Sequence, residues 1–280
     1  MINNSNIFAH KKFSQHFLHD KKVINKIVAI ISPKPDDDNI LIEIGSGLGA
    51  LTQPISEYVR NLTAIEIDRN LIINFLKNNE SLTKKLTIYQ QNVLTFNFTE
   101  FSHKKRKMLR VFGNLPYNIS TSLLFHLFDH IKVIKDMHFL LQKEFVDRII
   151  AVPGCKDYGR FSVISQYYCR PSFIFEILPK SFQPKPKVKS ALIRLIPHDI
   201  MPNKVKNVND LNRITNIAFS QRRKMLRNSM KNLFSSEFLE QIGIFPTLRA
   251  ENISVALYCQ LANLMNGLTS HSTNSFSPFN

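Results

Sequence analysis

Val111-Phe112-Gly113-Asn114-Leu115-Pro116-Tyr117-Asn118-Ile119-Ser120-Thr121 reads as a buried strand that breaks into a stiff loop. Leu109, Val111 and Phe112 are the apolar run-in, and Asn-Leu-Pro-Tyr ends the strand where a parallel sheet presents its ligands. Pro116 has no N–H and a fixed φ, so Asn114 and Tyr117 are held on a rigid turn. An amide, a main-chain carbonyl and an aromatic ring placed there suit one task, holding a planar base by its exocyclic amine. Alone, the same residues also fit a plain strand-to-helix turn, with Ser120 or Thr121 as helix cap.

Outward from this stretch, strands and helices alternate. Strands are expected at Ile40–Ile44, Leu62–Glu66, Leu86–Tyr89, Met108–Phe112 and Met137–Leu141. Helices are expected over Lys21–Ile31 after an Asp20 cap, from the glycine loop to about Val59, over Arg69–Lys77 after an Asp68 cap, over Thr121–Ile131 and over Lys143–Val152. Lys104–Lys107 reads as a solvated basic loop. This alternation predicts a parallel sheet covered on both faces. Beyond Gly154 a helix is expected over Phe161–Tyr168, with strands at Phe173–Leu178 and Ala191–Ile196 flanking a Pro-rich loop. Pro197–Val208 has linker composition, and the pattern from Asp210 on is helical, with Gln221-Arg222-Arg223-Lys224 on a helix face. Residues 268–280 are rich in Ser, Thr and Asn and are expected to be disordered.

Lys+Arg 37 against Asp+Glu 21 leaves a net charge of +16, and the pI is near 9.8. That points to a polyanionic partner, most simply nucleic acid, although a Lys- and Asn-rich composition supplies some of the charge without a partner. Cys155, Cys169 and Cys259 are widely spaced with no C-x-x-C, and the histidines show no metal spacing; neither a disulfide framework nor a metal site is expected. Met1–Lys12 is polar, and no stretch approaches the ~20 apolar residues of a membrane span. A cytoplasmic protein without membrane association is therefore expected.

Gly45-Ser46-Gly47-Leu48-Gly49-Ala50 follows the first long strand, and Glu66 closes the next, 21 positions after Gly45. A glycine turn admits a ligand close to the backbone, and an acid at that distance accepts hydrogen bonds from ribose hydroxyls. A nicotinamide, a flavin or S-adenosylmethionine would each satisfy this pair. The Asn-Leu-Pro-Tyr loop separates them, because hydride transfer has no use for it and amine methylation does. The exocyclic amine of adenine is a poor nucleophile, its lone pair being delocalised into the ring. Two acceptors on its N–H groups, the Asn114 side-chain oxygen and the Leu115 or Pro116 carbonyl, favour a pyramidal nitrogen with a localised pair. Tyr117 stacks on the base and faces the sulfonium, and alignment supplies most of the rate. A paired base cannot enter such a site and must be flipped out or unpaired.

Several segments together resemble the bacterial small-subunit (16S) ribosomal RNA adenine N6,N6-dimethyltransferases, the KsgA type. They are Gln15-His16-Phe17-Leu18, Ile42-Glu43-Ile44-Gly45-Ser46-Gly47, Ile65-Glu66-Ile67-Asp68, Gly113–Thr121, Met137–Glu144, Tyr158-Gly159-Arg160-Phe161-Ser162-Val163, Gln221-Arg222-Arg223-Lys224 and Arg249–Ser254. The resemblance runs from about residue 11 to 266. It implies a Rossmann-like class I methyltransferase domain over 20–197, a helical RNA-binding domain over 198–267 and a flexible segment 1–19 with cofactor and RNA contacts. It implies dimethylation of two adjacent adenines in the 3′-terminal hairpin loop of 16S rRNA, in the 30S subunit or its precursor, using S-adenosylmethionine; a monomer is the default expectation. His16, Leu18, Gly45, Gly47, Glu66, Asn92 and Asn114 are then expected to line the cofactor site. Asn114, Pro116 and Tyr117 would do the chemistry, with Phe182 on the other face of the adenine and Arg222, Arg223, Lys224 and Arg227 on RNA phosphate. Three positions depart from the common pattern: His16 for Asn, Asn92 for Asp, and Lys189 for Asp. The loss of charge at Asn92 is expected to weaken cofactor binding. Rival readings are a ribosome-assembly factor with reduced methylation and a large-subunit dimethyltransferase of macrolide-resistance type.

Overall fold

Asp20 and Asp68 each open a helix by accepting two backbone N–H groups at its start, and each helix leads onto a sheet buried on both faces. The structure, a computed structural model, describes residues 16–269, with side chains to Met265. The expected loose segment 1–12, Gln15 and the tail beyond Thr269 lie outside the described residues. In chain order the elements are β1 (Phe17–Leu18), α1 (Lys21–Ile31), β2 (Ile40–Ile44), α2 (Thr52–Ser56), β3 (Leu62–Glu66), α3 (Arg69–Asn78), β4 (Leu86–Gln90), α4 (Phe98–Lys105), β5 (Leu109–Asn114), α5 (Ser120–Asp129), β6 (Ile134–Gln142), α6 (Lys143–Ile150), α7 (Arg160–Tyr168), β7 (Cys169–Ile177), β8 (Phe182–Gln183), β9 (Ser190–Pro197), α8 (Val208–Ser220), α9 (Leu226–Ser229), α10 (Ser236–Gln241) and α11 (Val255–Thr269).

Seven strands form one sheet in the order β4-β3-β2-β5-β6-β9-β7. The pairs from β4 through β6 are parallel, and β9 runs antiparallel to β6. The order reverses between β2 and β5, the switch point where open sheets of this kind bind ligands. A second, two-stranded sheet pairs β1 with β8, Leu18 opposite Phe182 and Phe17 opposite Gln183. Gly113 lets β5 lie tight on β2: a Cβ there would sit 2.3 Å from the Ile44 carbonyl oxygen. The glycine loop after β2 and the Asn114 loop after β5 are therefore neighbours. At the other end of β5, Arg110 bonds both Asp136 oxygens through Nε at 3.1 Å, Asp37 through Nη1 at 3.0 Å and the Ile31 carbonyl through Nη2 at 2.6 Å. That half-buried cation ties the end of α1 to the sheet.

Contacts divide the chain into two compact units, one running to Val146 with Ser172–Pro197, the other comprising Asp147–Pro171 and the chain from His198. In the second, α8 packs on α7 and α11, and the Tyr158 and Tyr258 hydroxyls donate to the Ile253 and Ala250 carbonyls.

Three expectations need correction. The helix after the glycine loop is one short piece, Thr52–Ser56, with Pro54 inside its first turn, and does not run to Val59. Lys104 and Lys105 are the last turn of α4, not a loop; Asn97 caps that helix and Phe98, Phe101 and Ser102 are its buried face. Gln221–Lys224 is a turn between α8 and α9, not a helix face.

Candidate active site

Gly45 and Gly47 adopt positive φ, +72° and +55°, which a side chain would disfavour. The loop they make curls over the end of β2 and turns its amides inward. Gly45 N–H donates to the Ile65 carbonyl at 2.9 Å, joining it to β3. Gly47 N–H donates to Glu66 Oε2 at 3.0 Å, and Ile67 and Asp68 N–H donate to Oε1 at 2.9 and 3.0 Å. Glu66 is only 6 % exposed, and these bonds fix its carboxylate at the end of β3. Oε2 accepts one N–H and keeps acceptor capacity toward the cavity.

That cavity has a volume of about 300 Å³, within the range of small-molecule sites. His16, Leu18, Gly45, Gly47, Glu66, Asn92, Asn114, Pro116 and Tyr117 all line it. Residues from five separate segments of sequence thus meet at the switch point. Its polar groups are an acid suited to ribose hydroxyls, glycine-loop backbone and the Asn92 amide, set among apolar Ile65, Val93 and Leu94. This donor set fits a nucleoside cofactor. Asn92 Oδ1 accepts from Leu94 N–H at 3.0 Å, so the amide caps a short turn and is oriented by it.

The Asn-Leu-Pro-Tyr loop is held on every side. Asn114 Nδ2 donates to the His16 carbonyl at 2.8 Å, which fixes the sense of the amide and leaves Oδ1 as its acceptor. Leu115 N–H donates to the Leu140 carbonyl. The Pro116 carbonyl accepts from Ser120 Oγ at 3.0 Å and from Ile119 N–H at 3.2 Å. Of the two carbonyls considered from sequence, Pro116 is therefore engaged in the turn, and that of Leu115 accepts no hydrogen bond among the described residues. The Tyr117 hydroxyl shares a hydrogen bond with Ser190 Oγ at 2.8 Å, and burial raises its pKa. The His16 ring lies 5.7 Å from that of Tyr117, and His16 Nδ1 bonds the Pro184 carbonyl at 2.7 Å.

Phe182 lies elsewhere: it is 1 % exposed, packed in the apolar core with Leu18, and does not line the cavity. In the second unit Arg223, Lys224 and Arg227 are exposed. Arg222 is tied down, donating to Glu251 at 3.2 Å and to the carbonyls of Lys156 and Tyr158. Lys189 pairs with Glu176 at 2.7 Å.

Two residues given no role from sequence belong to the site. Phe17 packs on Gly47, 3.4 Å from where a Cβ would be. Glu43 lines the cavity floor, is 2 % exposed and accepts from Thr52 Oγ1 at 2.6 Å. Burial first, then the charge of Glu66, pushes its carboxyl up to about 8. A lone acid inside the apolar run Ile40–Ile44 was the signal for it.

The ribosomal RNA adenine dimethylase family profile matches residues 6–267. "Ribosomal RNA small subunit methyltransferase A" of Escherichia coli is 54% identical over 257 residues, covering 92% of this chain and 93% of that protein, and the enzyme of the same name from Citrobacter koseri matches equally. Among solved structures, a dimethyladenosine transferase from Plasmodium falciparum superposes with a TM-score of 0.76 at 24% identity, covering 90% of this chain and 98% of that one. The 23S rRNA methyltransferase ErmE superposes at 0.68 and 20% identity, covering 89% and 99%. The two structures speak for the fold alone. Profile and identity together carry the assignment: the chain belongs to the ribosomal RNA adenine dimethylase family.

Proposed function

We propose that this chain dimethylates the exocyclic amines of two adjacent adenines in the 3′-terminal hairpin loop of 16S rRNA, acting as a monomer on the 30S subunit or its precursor. The observation that carries the reading is the Asn114 amide, whose Nδ2 is pinned to the His16 carbonyl so that Oδ1 is left as an acceptor beside the Leu115 carbonyl. Those two acceptors match the two N–H bonds of an adenine amine. When bound, S-adenosylmethionine supplies the electrophilic methyl group. Glu66 would hold its ribose, the loop of Gly45 and Gly47 and the segment His16–Leu18 its amino-acid end, and Asn92 its base. Asn114 Oδ1 and the Leu115 carbonyl accept hydrogen bonds from the N–H groups of the target amine, which favours a pyramidal nitrogen with a localised lone pair. Tyr117 covers one face of the flipped adenine and excludes water. Phe182 would reach the other face only by leaving its place in the core. Arg223, Lys224 and Arg227 in the helical C-terminal part would contact RNA phosphate, a sequence-blind and salt-sensitive interaction.

Labelled methyl transfer to undermethylated 30S particles tests this. Asn114→Ala should slow transfer by about 10²–10³-fold, the cost of one preorganised hydrogen-bonding group at a reacting centre. Its cofactor affinity should change far less. Full-rate transfer by Asn114→Ala would show that the amide does not activate the amine.

A further inference from the structure

The Tyr117 hydroxyl reaches across the molecule to Ser190 Oγ, 73 residues further along the chain and 2.8 Å away. The two partners differ in freedom. Tyr117 sits in the turn between β5 and α5. Ser190 is the first residue of β9, opposite Gln142 of β6, and only 1 % exposed. The backbone just before it is also held, since Lys143 N–H donates to the Lys189 carbonyl at 2.9 Å. A hydroxyl on a fixed strand thus meets a hydroxyl on a loop ring. The Asn114 end of the same loop has its own separate tie, to the His16 carbonyl. Ser190 does not line the cavity, so whatever it contributes passes through Tyr117.

We propose that Ser190 is a positioning residue for methyl transfer: its hydroxyl anchors the outer end of the Tyr117 side chain and so fixes where the ring lies against the target base. The inference rests on the reading of the site as an adenine methyltransferase. Without this bond the ring keeps the neighbouring His16 ring but loses the tie at its outer end. The base is then presented to the two acceptors over a wider range of angles. Alignment of reacting atoms is where such a loss is felt, in the rate of the bound complex and not in cofactor binding.

The test is a double-mutant cycle in the full chain, with Ser190→Ala, Tyr117→Phe and the double variant. Single-turnover methyl transfer to undermethylated 30S particles is measured at saturating S-adenosylmethionine, beside cofactor Kd and melting temperature. Each single variant should slow transfer by about 3- to 10-fold, the range expected for one neutral hydrogen bond. Cofactor Kd should stay at the wild-type value, and the double variant should be no slower than either single one. Wild-type rates in Ser190→Ala would overturn the proposal, as would losses that multiply in the double variant, since Ser190 would then act by packing alone. Tyr117→Phe keeps the ring and removes only the hydroxyl, so its full activity overturns the proposal even if Ser190→Ala does not fold. Absence of transfer by the wild-type chain would instead remove the methyltransferase reading, and this inference with it.

Discussion

Glu43 shows how one side chain can set the pH response of the fold. Its folded carboxyl keeps a proton up to about 8, against 4.5 for an ordinary glutamate. Between those values the folded state binds a proton that the unfolded chain has released, so stability falls as pH rises. His138 acts in the opposite sense lower down. It is buried, its Nε2 has no hydrogen-bond partner among the described residues, and burial pushes it down to about 4 from 6.5. It therefore adds stability as pH rises from about 4 to 6.5 and is silent above. From pH 6.5 to 8 the Glu43 effect stands alone of the two, on the order of 1–2 kcal/mol. Thermal melts of the wild type should drop by several degrees across that window, and those of Glu43→Gln should stay level. Equal drops in both proteins would show that Glu43 ionises as an ordinary carboxyl. At this scale the site was largely legible: Gly45, Gly47, Glu66, Asn92, Asn114, Pro116 and Tyr117 meet at one cavity. What could not be read was which hydrogen bonds aim them. The bonds of Asn114 to His16 and of Tyr117 to Ser190 span 98 and 73 residues and leave no local pattern.

Helix boundaries followed from one-faced periodicity in α1 and α3, and strand boundaries from short continuous apolar runs in β2 and β3. Misreadings fell on short or composite elements. The buried side of α4 is three residues, followed by a run of four basic ones that reads as loop. β1 and β8 have two residues each and exist because they pair with each other, a contact no window of sequence contains. Gln221–Lys224 forms a turn, within which the Arg222 guanidinium bonds Glu251 and two carbonyls, contacts far away in sequence. β2 lies tight on β5 at Gly113. Gly113→Ala would place a methyl 2.3 Å from the Ile44 carbonyl oxygen, and strands do not yield that far without shifting. An overpacking cost of about 1–3 kcal/mol is expected. The melting temperature should fall by roughly 3–10 °C, with cofactor affinity falling too, since both walls of the site move. An unchanged melt would mean that β2 and β5 have more slack than their register implies.

For the whole molecule, the +16 charge, the parallel sheet and the clamp loop point the same way. A chain this basic suits a polyanionic partner, and the proposed site at its switch point would take one base at a time. Fold class was legible because βα alternation leaves few topologies open. The parting of the chain was less so, because the second compact unit draws 147–171 together with the chain after 197, and linker composition marks only the later crossing. No described helix is long and apolar enough to cross a membrane. The central claim is that this assembly methylates adenines of small-subunit RNA. Its most direct test is transfer from labelled S-adenosylmethionine to undermethylated 30S particles, with the product bases mapped. Dimethyladenosine is expected at two adjacent adenines of the 3′-terminal hairpin, formed about 10²–10³-fold more slowly with Asn114→Ala. Label on other bases, or 30S binding without transfer, would contradict it.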